Sequence, residues 1–336
     1  MKPTMTANQN NPVFARVGSA LFYGVSSFMI TVVNKTVLTT FGFPSFQFLG
    51  IGQMVATILV LFISKKLRYV DFPNLETSTL TKIWPLPIIY IVSSFMFRRL
   101  YSQEAYKEFF AKNHVALTPL QRSVLAAGSA AISLTNPFRG DMIACLGETT
   151  GEKALLHCLR KLQATPEGQR ILDLRPRIHS TTVDLLALKN LPDGTVGKTY
   201  SDFLEVNDVS PDSRPPVRFV EDFELSYVMQ RYREVHDIFH AMLLMPTTML
   251  GEVAVKWVEG LQLQLPMCIS GAIFGAVRLR PRQRKLYTDY YLPWAINIGK
   301  NSKFLLGIYF EERWEQKLED FHKEMNIRPL TYSEKP

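Results

Sequence analysis

The sequence predicts an all-α protein: a helical globular domain with a metal-binding helical hairpin, preceded by two or three hydrophobic, transmembrane-like helices. Three observations predict it. Apolar residues recur at intervals of three and four, as in Ile143 and Leu146 and in Leu155, Leu156, Leu159 and Leu162, while strand-like alternation is rare and short. Pro119, Pro137, Pro166, Pro176, Pro192, Pro246 and Pro266, with Ser, Thr and Asp caps, divide this part into helices of about 10 to 20 residues. The first hundred residues, by contrast, hold three long stretches without a charge.

Those stretches come first in the chain. Val17–Val33 has 17 uncharged residues, Phe46–Ser64 has 19 and Ile83–Phe97 has 15. A hydrocarbon layer about 30 Å thick needs roughly 20 such residues, so the second reads as a membrane span and the first as a fair one. A signal peptide is the competing reading, but two long apolar segments in succession favour spans. The segment Met96–Tyr101, basic with hydroxyl residues nearby, reads as a leader remnant or a linker; Glu104 and Glu108 count against a leader. Residues 1–92 carry a net charge of +5 and residues 93–336 of +3, too mild an excess to argue for nucleic acid. Cys145, Cys158 and Cys268 lack paired spacing and an even count, so neither a disulfide frame nor a CxxC metal site is expected, and they are placed in cores.

The chemistry lies further on. His236 and His240 are four apart, so on a helix both imidazoles lie on one face, a turn apart, and can reach one cation. Glu252 is 12 residues beyond the second histidine. In one unbroken helix it would point about 160° away from His236. Pro246 cannot continue a helix and Thr247 or Thr248 can cap a new one, so Met245–Thr248 reads as the turn of a hairpin that brings Glu252 back one turn into the second helix. Two imidazoles with one or two carboxylates suit zinc (Zn2+) and leave a position open. Against this, helical HxxxH pairs are common, and one histidine often only packs or caps. Asp237 is either a fourth ligand or a partner of one, since it points about 100° from His236. Arg231, Arg233 and Glu234 read as helix surface or ion pairs, with a substrate-carboxylate clamp as the lesser alternative. His114, His157, His179 and His322 have no metal spacing.

Leu261–Ala276 is apolar nearly all round, with Gly271 and Gly275 four apart. It reads as a core helix, or as a wall for an apolar ligand. Arg278–Lys285 reads as a solvated loop, or as a contact for anionic headgroups. No Gly-rich phosphate loop, GxSxG elbow or dinucleotide fingerprint is present, which sets aside kinases, serine hydrolases and flavin or nicotinamide enzymes.

The stretch Arg231–Trp257, with its HDxxHx11E pattern, resembles the coenzyme Q biosynthesis protein 4 family. Leu125–Ala131, Asn136–Gly151, Arg175–His179, Val209–Arg214, Leu265–Cys268, Val277–Pro281, Leu292–Trp294 and Arg313–Gln316 resemble the same family in the same order, over about residues 115–330. The resemblance implies zinc held by His236, Asp237, His240 and Glu252. It implies decarboxylation at C1 of 4-hydroxy-3-methoxy-5-polyprenylbenzoate and organisation of the biosynthetic complex, with a non-catalytic polyprenyl-lipid-binding scaffold as the alternative. Implied partners are that substrate, the other ubiquinone-biosynthesis proteins, membrane lipid and a second copy of the chain, with no nucleic acid. The implied location is peripheral, on the matrix face of the inner mitochondrial membrane; the N-terminal apolar segments argue against it.

Arg16–Gly24, Val33–Ser45 and Phe48–Thr57 are similar to the start of UDP-sugar transporters, up to about Val92. Such transporters have about ten membrane helices, so transport itself is excluded. The expected organisation is therefore a fusion: a transporter-like segment over 1–92, a linker or leader remnant over 93–114, a metal-binding helical domain over 115–330 and a tail over 331–336.

Overall fold

The computed structural model describes residues 103–330 together with 63, 66 and 67. The chain divides into two compact units, Met1–Pro87 and Ile88–Pro336. The apolar segments expected to span a membrane, and the transporter-like stretch, lie almost wholly outside the described residues. Among the described residues, no helix is long and apolar enough to cross a membrane.

The second unit is helical, and local sequence explains where its helices begin. Helix α1 covers 103–113, within the segment expected to be a linker or leader remnant. It is docked: Tyr106 is 2% exposed, its ring 5.1 Å edge-on from Tyr227, and its hydroxyl is 3.1 Å from Ser226 Oγ. Helix α2, Pro119–Thr135, starts with a capping box between Thr118 and Gln121 and with proline at its first turn, where no N–H is needed. Helices α3 (Gly140–Thr150) and α4 (Glu152–Gln163) follow, and α4 turns Ala154, Leu155, Cys158 and Leu162 inward at helical spacing. Helix α5 (Pro166–Leu174) is capped by Thr165, α6 (Leu185–Lys189) by Asp184 and α7 (Val196–Asn207) by Thr195, each side chain accepting from a backbone N–H three residues on.

Helix α8, Phe223–Met242, forms the axis. Every residue from Leu225 to Met242 is buried, so its charged residues must be paired inside the protein. Arg231 is enclosed and pairs with Glu311, Arg233 pairs with Glu148 from α3, and Arg177 lies 2.6 Å from Glu234. These residues, expected as surface or ion pairs, are ion pairs that clamp loops and neighbouring helices onto α8.

Helix α9, Met249–Leu263, returns along α8, and α10, Pro266–Val277, packs against α9. The stretch expected as one apolar helix, Leu261–Ala276, is therefore two. Gln264 takes a left-handed conformation at φ 59° and Pro266 starts a new first turn, which ends α9 at Leu263. Nor is Arg278–Lys285 all loop: α11 occupies Pro281–Leu286 and passes through a π turn, Tyr287–Tyr291, into α12, Leu292–Asn301. Helix α13, Leu318–Met325, closes the fold with Phe321 against Phe310. One isolated bridge, Thr195 to Lys317, is the extended pairing found among the described residues. All three cysteines are free and buried.

Candidate metal centre

The hairpin forms where the sequence puts it. Helix α8 ends at Met242, Leu244 takes φ 54°, and Thr248 caps α9 by accepting from Gly251 N–H. Gly251 is needed there, because a Cβ would run into the Pro246 carbonyl. Glu252 then lies one turn into α9, opposite the two histidines.

One donor atom from each of His236, His240 and Glu252 lies within 4.8 Å of the others. The His240 Nε2 is 3.4 Å from Glu252 Oε1, and the His236 Nε2 is 3.9 Å from Glu252 Oε2. The rings meet edge to face at 4.8 Å, and Phe203 of α7 stacks against His240 at 5.7 Å. Both histidines are buried, while the Glu252 side chain is 35% exposed, so the centre opens to solvent on the α9 side.

Hydrogen bonds set the tautomers. His236 Nδ1 is 2.6 Å from Glu259 Oε1 and His240 Nδ1 is 3.1 Å from the Met245 carbonyl; both oxygens can only accept, so each ring donates from Nδ1 and keeps its Nε2 lone pair free. His240 Nε2 is buried and has no hydrogen-bond partner. A buried nitrogen lone pair beside a second imidazole and a carboxylate is a donor set suited to a divalent cation such as zinc. Burial, then Lys256, lowers the His236 pKa, outweighing Glu259 and keeping the ring neutral. Burial works against the Glu252 charge, and the Lys256 ammonium favours it.

Asp237, expected either as a fourth ligand or as a partner of one, is not in this group. Its carboxylate is taken by Arg214, through Nη2 and through Nε at 3.3 Å. One position along a helix turns it about 100° away from His236, toward the loop that carries Arg214.

Four neighbours were missed as site residues. Glu259 lies on α9 behind His236, Lys256 Nζ is 2.7 Å from Glu259 Oε2, and the Tyr232 hydroxyl donates to the same oxygen at 2.8 Å. Glu259 is fully enclosed, and Lys256 with His236 keeps it ionised against the penalty of burial. Lys256 likewise stays an ammonium, since Glu259, Cys268 and Glu252 together outweigh its burial. Arg214 is near enough to feel the Glu252 charge. The signal for two of these was the spacing Glu252-x3-Lys256-x2-Glu259, which is one helix face. Arg214 had no local signal, being 22 residues before His236.

The family model for coenzyme Q (ubiquinone) biosynthesis protein Coq4 matches residues 111–331. This chain belongs to that family. The ubiquinone biosynthesis protein COQ4 homolog, mitochondrial, of Bombyx mori is 57% identical over 222 residues, 66% of this chain and 86% of that protein. Its counterpart in Drosophila ananassae is 54% identical over 227 residues, 68% and 85% of the two chains. A solved structure of a candidate ubiquinone biosynthesis protein from Nostoc punctiforme covers 60% of this chain and 95% of that one. Its identity is 18% and its TM-score 0.49, a likeness too slight to carry a fold argument. Family membership gives the Coq4-type chain a role in ubiquinone biosynthesis, and lends no support to the transporter-like reading of residues 16–92.

Proposed function

We propose that this Coq4-type protein is a zinc-dependent lyase, removing the C1 carboxyl group of 4-hydroxy-3-methoxy-5-polyprenylbenzoate. It would act in the mitochondrion, peripherally on the matrix face of the inner membrane, and would gather the other ubiquinone-biosynthesis proteins around it. The observation that carries the reading is the meeting of His236 Nε2, His240 Nε2 and a Glu252 carboxylate oxygen, with both Nδ1 atoms tied back.

His236, His240 and Glu252 would hold the ion, and Asp237 would steady Arg214 at its side. When bound, zinc supplies positive charge that orients a carboxylate and acidifies water. The chain's own residues do the rest. Lys256, paired with Glu259, and Arg214, paired with Asp237, border Glu252 at the open side. Ring carbon C1 takes a proton, with electrons pushed from the para oxygen. The bond from C1 to the carboxylate then breaks, its electron pair returns to the ring and carbon dioxide leaves. Glu252, as a ligand, would stay a carboxylate and would not donate the proton, whereas the Lys256 ammonium carries one at the edge of the site.

The test is carbon dioxide release from a prenylated 4-hydroxy-3-methoxybenzoate by the zinc-loaded full chain, with His240→Ala as control. Release that disappears in the variant supports the lyase. No release from folded, zinc-loaded protein replaces it with a polyprenyl-lipid-binding scaffold in which the ion only braces the hairpin.

A further inference from the structure

We propose that the outward faces of α2 and α10, bordered by the basic stretch Arg278–Lys285, seat this protein on an anionic phospholipid bilayer. The proposal rests on the peripheral-membrane part of the reading above and adds the surface that meets lipid.

Helix α10 holds no charged residue; Met267, Cys268, Ala272 and Gly275 are buried against the core. Ile269, Ile273, Phe274 and Val277 are 39%, 46%, 46% and 66% exposed. Offsets of four, five and eight place them on one side of the helix. Helix α2 has one charge in 17 residues, Arg122, and buries only Ser129. It leaves Leu120, Val124 and Leu134 exposed, and Phe138 just beyond its end is 90% exposed. The two helices adjoin: α3 packs against both, and the Arg278 guanidinium donates to the Leu134 carbonyl at the end of α2. Adjoining faces with this many large apolar side chains mark an interaction surface.

Charge selects the occupant. Arg278, Arg280, Arg282, Arg284 and Lys285 are all exposed, and among the described residues none pairs with a carboxylate. Arg284 donates to the Leu279 and Val277 carbonyls, which holds its charge at the end of α10. A second copy related by a two-fold axis would bring this cluster against its own like charge. A bilayer offers the complement on both counts, an apolar phase beneath anionic headgroups. The inward side of α10 leads to the candidate metal centre, because Gly271 lies against the stem of Lys256.

The experiment uses the full chain with phosphatidylcholine vesicles, with and without phosphatidylglycerol. Nitroxide labels are placed through Ile273→Cys and Val277→Cys on α10, and through Val206→Cys on α7, which is 82% exposed. Collision with oxygen and with an aqueous nickel chelate then reads the immersion of each position, whatever else tethers the chain. Positions 273 and 277 are expected to gain oxygen access and lose nickel access on phosphatidylglycerol vesicles, with 206 remaining aqueous. Arg282→Glu with Lys285→Glu, or high salt on the unaltered chain, should weaken that immersion about tenfold or more. Labels that stay open to nickel overturn the proposal. So does spin–spin broadening between copies, which would assign the face to self-association. Immersed labels in a protein that releases no carbon dioxide would remove the catalytic reading and leave this one standing.

Discussion

Glu259 grips one nitrogen of His236 at 2.6 Å while Glu252, seven residues earlier on the same helix, faces the other nitrogen at 3.9 Å. One face of α9 thereby orients the imidazole from behind and completes the donor set in front. A histidine held this way presents its lone pair in a fixed direction, which raises metal affinity without adding a ligand.

Glu259→Gln should therefore weaken zinc binding by about 10- to 100-fold, read by competition with a chromophoric chelator. It also leaves Lys256 without its buried carboxylate, at a cost of about 3–5 kcal/mol in unfolding free energy. Adding Lys256→Met should return part of that stability but not the zinc affinity. If the double variant binds zinc like the parent, Glu259 has no positioning role.

Removing His240 should separate metal from fold. Its Nε2 makes no hydrogen bond in the folded chain, so His240→Ala is expected to abolish tight zinc binding while circular dichroism still reports a helical protein. Retention of stoichiometric zinc by this variant would mean that the ion sits elsewhere.

The pH dependence of metal-free stability follows from the sign of the His236 shift. Burial lowers its folded pKa, so the unfolded chain takes up the proton first and stability falls as the pH drops below the ordinary imidazole value of about 6.5. Urea midpoints measured from pH 8 to about 5 should decline, and His236→Gln should flatten the slope. A midpoint that rises on acidification would contradict the assignment of a buried neutral ring.

Arg233 and Glu148 join α8 to α3 inside the protein, and Glu148 also accepts from Arg218 N–H at 2.8 Å. Glu148→Ala should cost about 3–5 kcal/mol in denaturant unfolding, because it strands a buried guanidinium. Paired with Arg233→Met, the loss should be smaller than for the single change. Equal losses would show that the pair is not coupled.

Two glycines on α10 should respond differently. A Cβ at Gly275 would lie 2.7 Å from Val253 Cγ2, on a stiff β-branched side chain of α9, whereas one at Gly271 would sit 3.6 Å from the flexible Lys256 stem. Gly275→Ala is expected to destabilise by about 1–3 kcal/mol through overpacking. Gly271→Ala should be neutral or stabilising, since alanine favours helix by about 1 kcal/mol over glycine. Thermal unfolding of the two variants distinguishes them.

Much of the hairpin was legible because its signals are local. The four-residue histidine spacing, the helix-ending Pro246 and the Thr248 cap act within one or two turns, so α8, the turn and the return of Glu252 followed from them. The same locality let Pro119 and Pro166 mark breaks at which helices begin. The Leu261–Ala276 reading missed because uniform apolarity outweighed Pro266 in it, although the proline marks the break.

What only the tertiary structure decided is how the faces of these helices meet. Asp237 goes to Arg214 from a distant loop, Arg231 and Arg233 are enclosed rather than solvated, and Glu259 turns toward His236 instead of water. Each outcome depends on which long-range partner removes water from a charged group, and hydrophobic period and capping carry no record of that. The sequence by itself determined the helical class, the shared face of His236 and His240, and the turn that brings Glu252 to them, but not that Asp237 faces elsewhere. Packing determined their second layer of partners, and left the apolar side of α10 facing outward.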